Sequence, residues 1–149
     1  MNTREILFRG KAIGDGNWVY GCPLANESKM AFYWLEPDGK MNGAKVDPET
    51  VGQFTGLLDK NGVKIFEGDI VRINTHHLDL VSEDFEYRYD NERGYAHYVV
   101  KWVSTYCKFH MALEKYTKME PRCKTLNVYP HHNVVGNIHD NPELLKGAE

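Results

Sequence analysis

Seven histidines and three cysteines are the side chains of this 149-residue chain with the most chemistry to offer. A bound metal needs three or four such groups converging, often with Asp or Glu. The groupings available are His76-His77, His131-His132, His139, and Cys107 with His110. Adjacent residues on a strand point to opposite faces, and so do residues three apart. None of these spacings therefore gathers ligands by itself. The chain has no second cysteine at zinc-ribbon spacing and no His-Glu-x-x-His. The sequence implies no metal and no cofactor.

Nucleophilic catalysis has no better footing. Cys107 has His97 and His110 as candidate bases, but nothing sets either ring beside the thiol or lowers its pKa. Cys22 and Cys123 are equally good candidates, so none stands out. Gly14-Asp15-Gly16 lacks the third glycine and the following helix of a phosphate loop. With no catalytic constellation, the expectation is a protein that is not an enzyme.

A binding surface is easier to find. Residues 101–124 hold Lys101, Lys108, Lys115, Lys118, Arg122 and Lys124 against Glu114 and Glu120, with Trp102, Tyr106 and Tyr116 interleaved. Basic groups beside stacking rings are the parts of a surface that binds nucleic acid, as single strands or duplexes. The candidate face is Lys101, Trp102, Tyr106, Lys108, Lys115, Arg122 and Lys124. Against it stands a formal net charge of only −3, too balanced for a dedicated polyanion binder. Residues 76–92 carry six carboxylates against Arg88 and read as a long solvated connection. In an oligomer this acidic stretch meets the basic one between neighbouring subunits, setting orientation more than affinity.

Strands must position these groups. Nine tyrosines, six phenylalanines and three tryptophans, with thirteen glycines for turns, lean the composition toward β. Residues 4–9 (REILFR) and 18–22 (WVYGC) read as a hairpin across Gly14-Asp15-Gly16-Asn17. Residues 30–35 (MAFYWL) form a strand closed by Pro37-Asp38-Gly39-Lys40. Asp47-Pro48-Glu49-Thr50 is a single capped turn with residues 51–55 extended after it. Asn61-Gly62 is a two-residue hairpin signal in which both residues tolerate positive φ. Glu67-Gly68 then reverses or bulges the chain before a strand at 69–73. Residues 95–103 are a strong strand. Residues 108–116 alternate, placing Phe109, Met111 and Leu113 on one face. Residues 134–138 are a last short strand, and Asn141-Pro142 caps a short terminal helix.

The stretches REILFRGK, WVYG, VDPETVGQFTGLLDKNGVKIFEGDIV and VVGNIHDNPELL, in that order, resemble the YopX family of bacteriophage and prophage proteins. The resemblance spans nearly the whole chain. It implies a mainly β protein, with an N-terminal β-rich portion over 1–58 and a small SH3-like barrel over 59–149 that carries the 76–92 acidic loop. It also implies homo-oligomers, and it brings no catalytic residues. The matching positions Asn61, Gly62, Glu67, Gly68, Asp69, Gly136, Asn137 and Pro142 are each explained as turns or caps. With no apolar signal core after Met1, an odd cysteine count and no long apolar run, the expected place is the cytoplasm of a bacterial host, away from any membrane. The expected function is that of an accessory protein acting through self-association and an unknown phage or host partner. Nucleic-acid binding by a small barrel is the alternative, and a metal-dependent enzyme comes third.

Overall fold

The computed structural model describes residues 5–26, 29–74, 95–104, 108–112, 124–125 and 132–145. The acidic 76–92 connection lies outside them, as do Tyr106, Cys107, Lys115, Arg122 and Cys123. The chain is mainly β and antiparallel. It divides into two compact units, residues 1–56 and 57–149.

In the first unit β1 (Phe8–Lys11), β2 (Trp18–Asn26), β3 (Lys29–Leu35), β4 (Met41–Lys45) and β5 (Gly52–Leu58) lie in the order β4-β3-β2-β1-β5. The first strand starts four residues later than the sequence pattern suggests. Pairing with β2 sets its limits, from Phe8 opposite Gly21 to Lys11 opposite Trp18. The sheet curls until the chain after β4 meets the end of β1. Ile13 N–H donates to the Lys45 carbonyl at 2.9 Å, and Asp47 N–H donates to that of Lys11 at 2.9 Å. Asp47 then caps a one-turn 3-10 helix, Pro48–Thr50. Its carboxylate accepts from Glu49 N–H at 3.0 Å. Phe32, Val46 and Phe54 form the buried side of this unit.

The second unit begins with Leu57 and Leu58, the end of β5. A turn leads to β6 (Lys64–Phe66), followed by β7 (Asp69–Asn74), β8 (Tyr95–Val103), β9 (Lys108–Ala112), β10 (Lys124–Thr125) and β11 (Asn133–Asn137). Five of these lie in the order β10-β9-β8-β7-β11. The Asn61-Gly62 reversal is wider than a two-residue hairpin. Asp59 N–H bonds the Val63 carbonyl and Gly62 N–H bonds that of Asp59, giving a three-residue loop with Gly62 at φ 81°. That is a type I turn closed by a left-handed glycine. The Glu36–Lys40 reversal repeats the same bonding with Gly39 at φ 81°.

Alternation on β7, β8 and β9 builds the main core from Val71, Ile73, Tyr98, Val100, Phe109 and Met111, with Ile65 from β6. The opposite face of the same strands also buries two side chains, Ile70 and Val99, which sit opposite each other in register. The last described segment is a 3-10 turn, Pro142–Leu145, lying against β8. Among the described residues no helix is long and apolar enough to cross a membrane.

Candidate interaction surfaces

The first surface comes from the alternation of β2, β3 and β4. Register places Cys22 opposite Tyr33, Leu24 opposite Ala31, Tyr33 opposite Gly43 and Leu35 opposite Met41. Directly opposed residues share a face. One side of these strands therefore carries Tyr20, Cys22, Leu24, Tyr33, Leu35 and Met41. Phe32, on the other side, is fully buried, whereas Leu24, Leu35 and Met41 are 65%, 69% and 72% exposed. Gly43 lets the Tyr33 ring lie across it: a Cβ there would come within 2.8 Å of Tyr33 Cδ1. Beside that ring is a shallow hollow of about 370 Å³, bounded by Ala31, Met41 and Asn42.

The edge of this sheet is capped in part. The Asn42 side-chain oxygen accepts the Gly43 N–H at 2.8 Å, and its amide donates to Glu36 Oε1 at 3.1 Å. Trp34 Nε1 donates to the same Glu36 oxygen at 2.8 Å. The bonds from Asn42 and then Trp34 hold the Glu36 carboxyl below its ordinary range. The Lys45 carbonyl is also taken, by Ile13, so two of the outward-facing backbone groups of β4 are already bonded.

The second surface lies on β7, β8 and β9. Arg72 opposes His97, and Lys101 and Lys108 project from the same side of the sheet as that pair. Tyr95 joins them: the Arg72 guanidinium lies 5.4 Å from the Tyr95 ring centroid, and the His97 ring is 5.2 Å from it. His97 Nδ1 lies 2.9 Å from the Leu144 carbonyl, an acceptor only, so Nδ1 carries the proton and donates. The described residues of β7, β8 and β9 place no carboxylate on this side.

The sequence-derived binding residues are only partly brought together. Lys101 and Lys108 share this face. Trp102 lies on the opposite one, 44% exposed and edge-on to Phe109 at 5.0 Å. Lys124 stands in register opposite Met111 on β10. Tyr106, Lys115 and Arg122 lie outside the described residues. Sequence reading missed Arg72, Tyr95 and His97. Strand alternation was the available signal, but it needs the β7–β8 register before it can join residues more than twenty positions apart.

The turn and cap residues act as supports. The buried Asp59 carboxylate accepts from Asn61 N–H at 2.7 Å, Val63 N–H at 2.9 Å and Val134 N–H at 3.1 Å, tying the reversal to β11. Burial raises its pKa, but the bonds from Val63, Val134 and Asn61, with Lys60 adding attraction, outweigh it and the net direction is down. Asp69 accepts the Phe66 N–H at 2.7 Å. Gly68 donates to the Val100 carbonyl and accepts from Ile138 N–H, each at 2.9 Å. Glu67 accepts the Trp102 N–H at 3.1 Å. Asn137 accepts from His139 and Asp140 N–H groups at 3.0 Å. Among the described residues no three His, Cys, Asp or Glu side chains gather as a metal site would require.

The model of the YopX protein family matches residues 8–146. No curated protein matches the chain. Among solved structures, the crystal structure of protein EF1440 from Enterococcus faecalis is similar over 97% of this chain and 100% of that one, with a TM-score of 0.52 and 22% identity. That likeness extends to the fold.

Proposed function

The chain belongs to the YopX family, and from that premise we propose that it acts without catalysis, by associating with copies of itself and with a phage or host partner. It serves as a phage or prophage accessory protein in the bacterial cytoplasm, and its second unit closes as an SH3-like barrel. What carries the reading is the uncovered apolar face of β2, β3 and β4. Tyr20, Leu24, Tyr33, Leu35 and Met41 are between 41% and 72% exposed. Together they present on the order of 500 Å², the upper part of what ordinary monomers leave open. With a rim, that area approaches the ~800 Å² per partner of a stable pair. The occupant is a second copy. An apolar face matches itself across a two-fold axis.

Light scattering tests it. The native chain is expected at a multiple of 17.2 kDa, and Leu24→Lys with Met41→Lys is expected at the monomer mass with an unchanged circular dichroism spectrum. A native monomer at every concentration would end the self-association reading. A double variant that keeps the native mass would move the interface to another surface.

A further inference from the structure

We infer where two copies of the chain meet: the two-fold axis of the pair runs across the strands of the first unit's outer face, along the line Cys22–Tyr33–Gly43. The inference rests on the self-association proposed above and adds its geometry. Register sets the outward side chains in lines across β2, β3 and β4. Cys22, Tyr33 and Gly43 stand opposite one another in the middle line. On one side of it lie Leu35 and Met41, with Tyr20 two residues back from Cys22 along β2. On the other side lie Leu24, Ala31 and Lys45. The two flanking lines differ in height. Leu35 and Met41, 69% and 72% exposed, stand up as a ridge. Ala31 ends at its Cβ, and with Lys45 it borders the hollow beside the Tyr33 ring.

Size and charge decide between the axes. Sheets packed face to face in the aligned manner keep their strands within about 30° of each other. A two-fold axis between them then runs along the strands or across them. An axis along β3 would set Leu35 on Leu35 and Ala31 on Ala31, bump against bump and gap against gap. An axis across the strands through Leu35 and Met41 repeats that fault. One through Ala31 and Lys45 brings the two Lys45 ammonium groups together, a like-charge contact. The Cys22–Tyr33–Gly43 line avoids all three. It seats Leu35 of one copy on the partner's Ala31. It sends each Lys45 toward the partner's Met41, which the lysine's methylene stem can cover. It joins the two Tyr33 rings, each lying across its own Gly43, and it brings each Cys22 opposite the partner's Cys22.

Cys22, a free and exposed thiol, is the native reporter. Facing sheets stand about 10 Å apart, too far for a disulfide between opposed residues, but a short bis-maleimide spans the gap. The full chain is treated with that reagent at a concentration where light scattering shows the pair. Peptide mass mapping is expected to find Cys22 linked to Cys22. The Leu24→Lys, Met41→Lys double variant is expected to lose that product. Ala31→Leu fills the seat and Leu35→Ala removes the knob, so each is expected to raise the dissociation constant about tenfold. Combined in one chain, the two changes exchange knob and seat, and affinity is expected to recover most of the loss. Residues out of contact show no such coupling. Circular dichroism checks that each variant is folded. A native monomer at every concentration would overturn this inference together with the self-association reading. A pair that forms without the Cys22–Cys22 product, or additive losses from Ala31→Leu and Leu35→Ala, would overturn the axis alone and leave self-association standing.

Discussion

The two units use their sheets in opposite ways. The central strands of the second unit are buried on both sides: Ile70 and Val71 are each fully covered, as are neighbours Val99 and Val100. The middle strands of the first unit bury one side, with Phe32 at zero exposure between Tyr33 at 41% and Ala31 at the surface margin. β3 (KMAFYWL) and β8 (YAHYVVKWV) are both mostly apolar in sequence. The difference lies in what covers them. A strand buried on both faces spends its apolar surface on its own core, whereas one with an uncovered apolar face has surface left for another molecule.

The largest expected effect tests that contrast directly. Phe109→Ala opens the second unit's core beside Met111 and Val100 and is expected to cost about 3–5 kcal/mol. Leu35→Ala, on the uncovered face of the first unit, is expected to change monomer stability by no more than roughly 0.5 kcal/mol. Urea denaturation of dilute protein measures both, and amide exchange resolved by mass spectrometry locates the loss in β7, β8 and β9. Equal costs at the two positions would mean that the first unit's outer face stabilises the monomer as much as the second unit's core does, and the contrast would collapse.

Asp59 sets a second, smaller effect. Its carboxylate joins the Asp59–Val63 reversal to β11 through three backbone donors. Asp59→Ala leaves those donors without an acceptor and is expected to cost about 3 kcal/mol. Asp59→Asn keeps an oxygen and is expected to cost about half as much. Folding lowers the Asp59 pKa. Its contribution is therefore complete above the unfolded value near pH 4 and is lost as pH falls through the lower folded value. The native chain should lose stability below about pH 4 more steeply than Asp59→Asn does. The first unit's hairpin carboxylates, Asp15, Asp38 and Glu36, are also shifted down. They are solvent-facing and carry little of this dependence. Identical acid profiles for the native chain and Asp59→Asn would remove Asp59 from the account.

Local chemistry was legible in the sequence, and non-local pairing was not. The strand at Tyr95–Val103 has the limits its alternation gives, and Phe109 and Met111 share the buried face their spacing implies. Asp47-Pro48 makes a single turn because cap and fixed φ act within three residues. The curl that joins Lys45 to Ile13 depends on pairings between distant residues, which no local window contains. The same is true of the candidate surfaces. Trp102 follows Lys101 in sequence and therefore points away from it on a strand. Tyr95 and Arg72 come together only through the β7–β8 register. The uncovered apolar face was hidden for another reason: Leu24 and Leu35 have the side chains of core residues, and only the absence of a covering layer marks them as surface.

The smallest effect concerns what the units have in common. Both close a hairpin with the same three-residue loop, ending in Gly39 in the first and Gly62 in the second, each at φ 81°. A Cβ at either position meets nothing within 4 Å, so any penalty comes from the left-handed backbone and not from crowding. Gly39→Ala and Gly62→Ala are each expected to cost about 1 kcal/mol. Gly14→Ala, which also faces open space but has no positive φ, is expected to be neutral or slightly stabilising. Asparagine tolerates the left-handed region better than alanine, so Gly62→Asn should recover part of the loss. Urea midpoints of the four variants decide it. If Gly39→Ala and Gly62→Ala cost the same, the two units share their turn physics, and the difference between them resides in how their faces are covered. If Gly62→Ala alone is costly, the second unit's reversal is held tightly enough by the Asp59 bonds to resist relaxing, and the contrast extends from the faces into the loops.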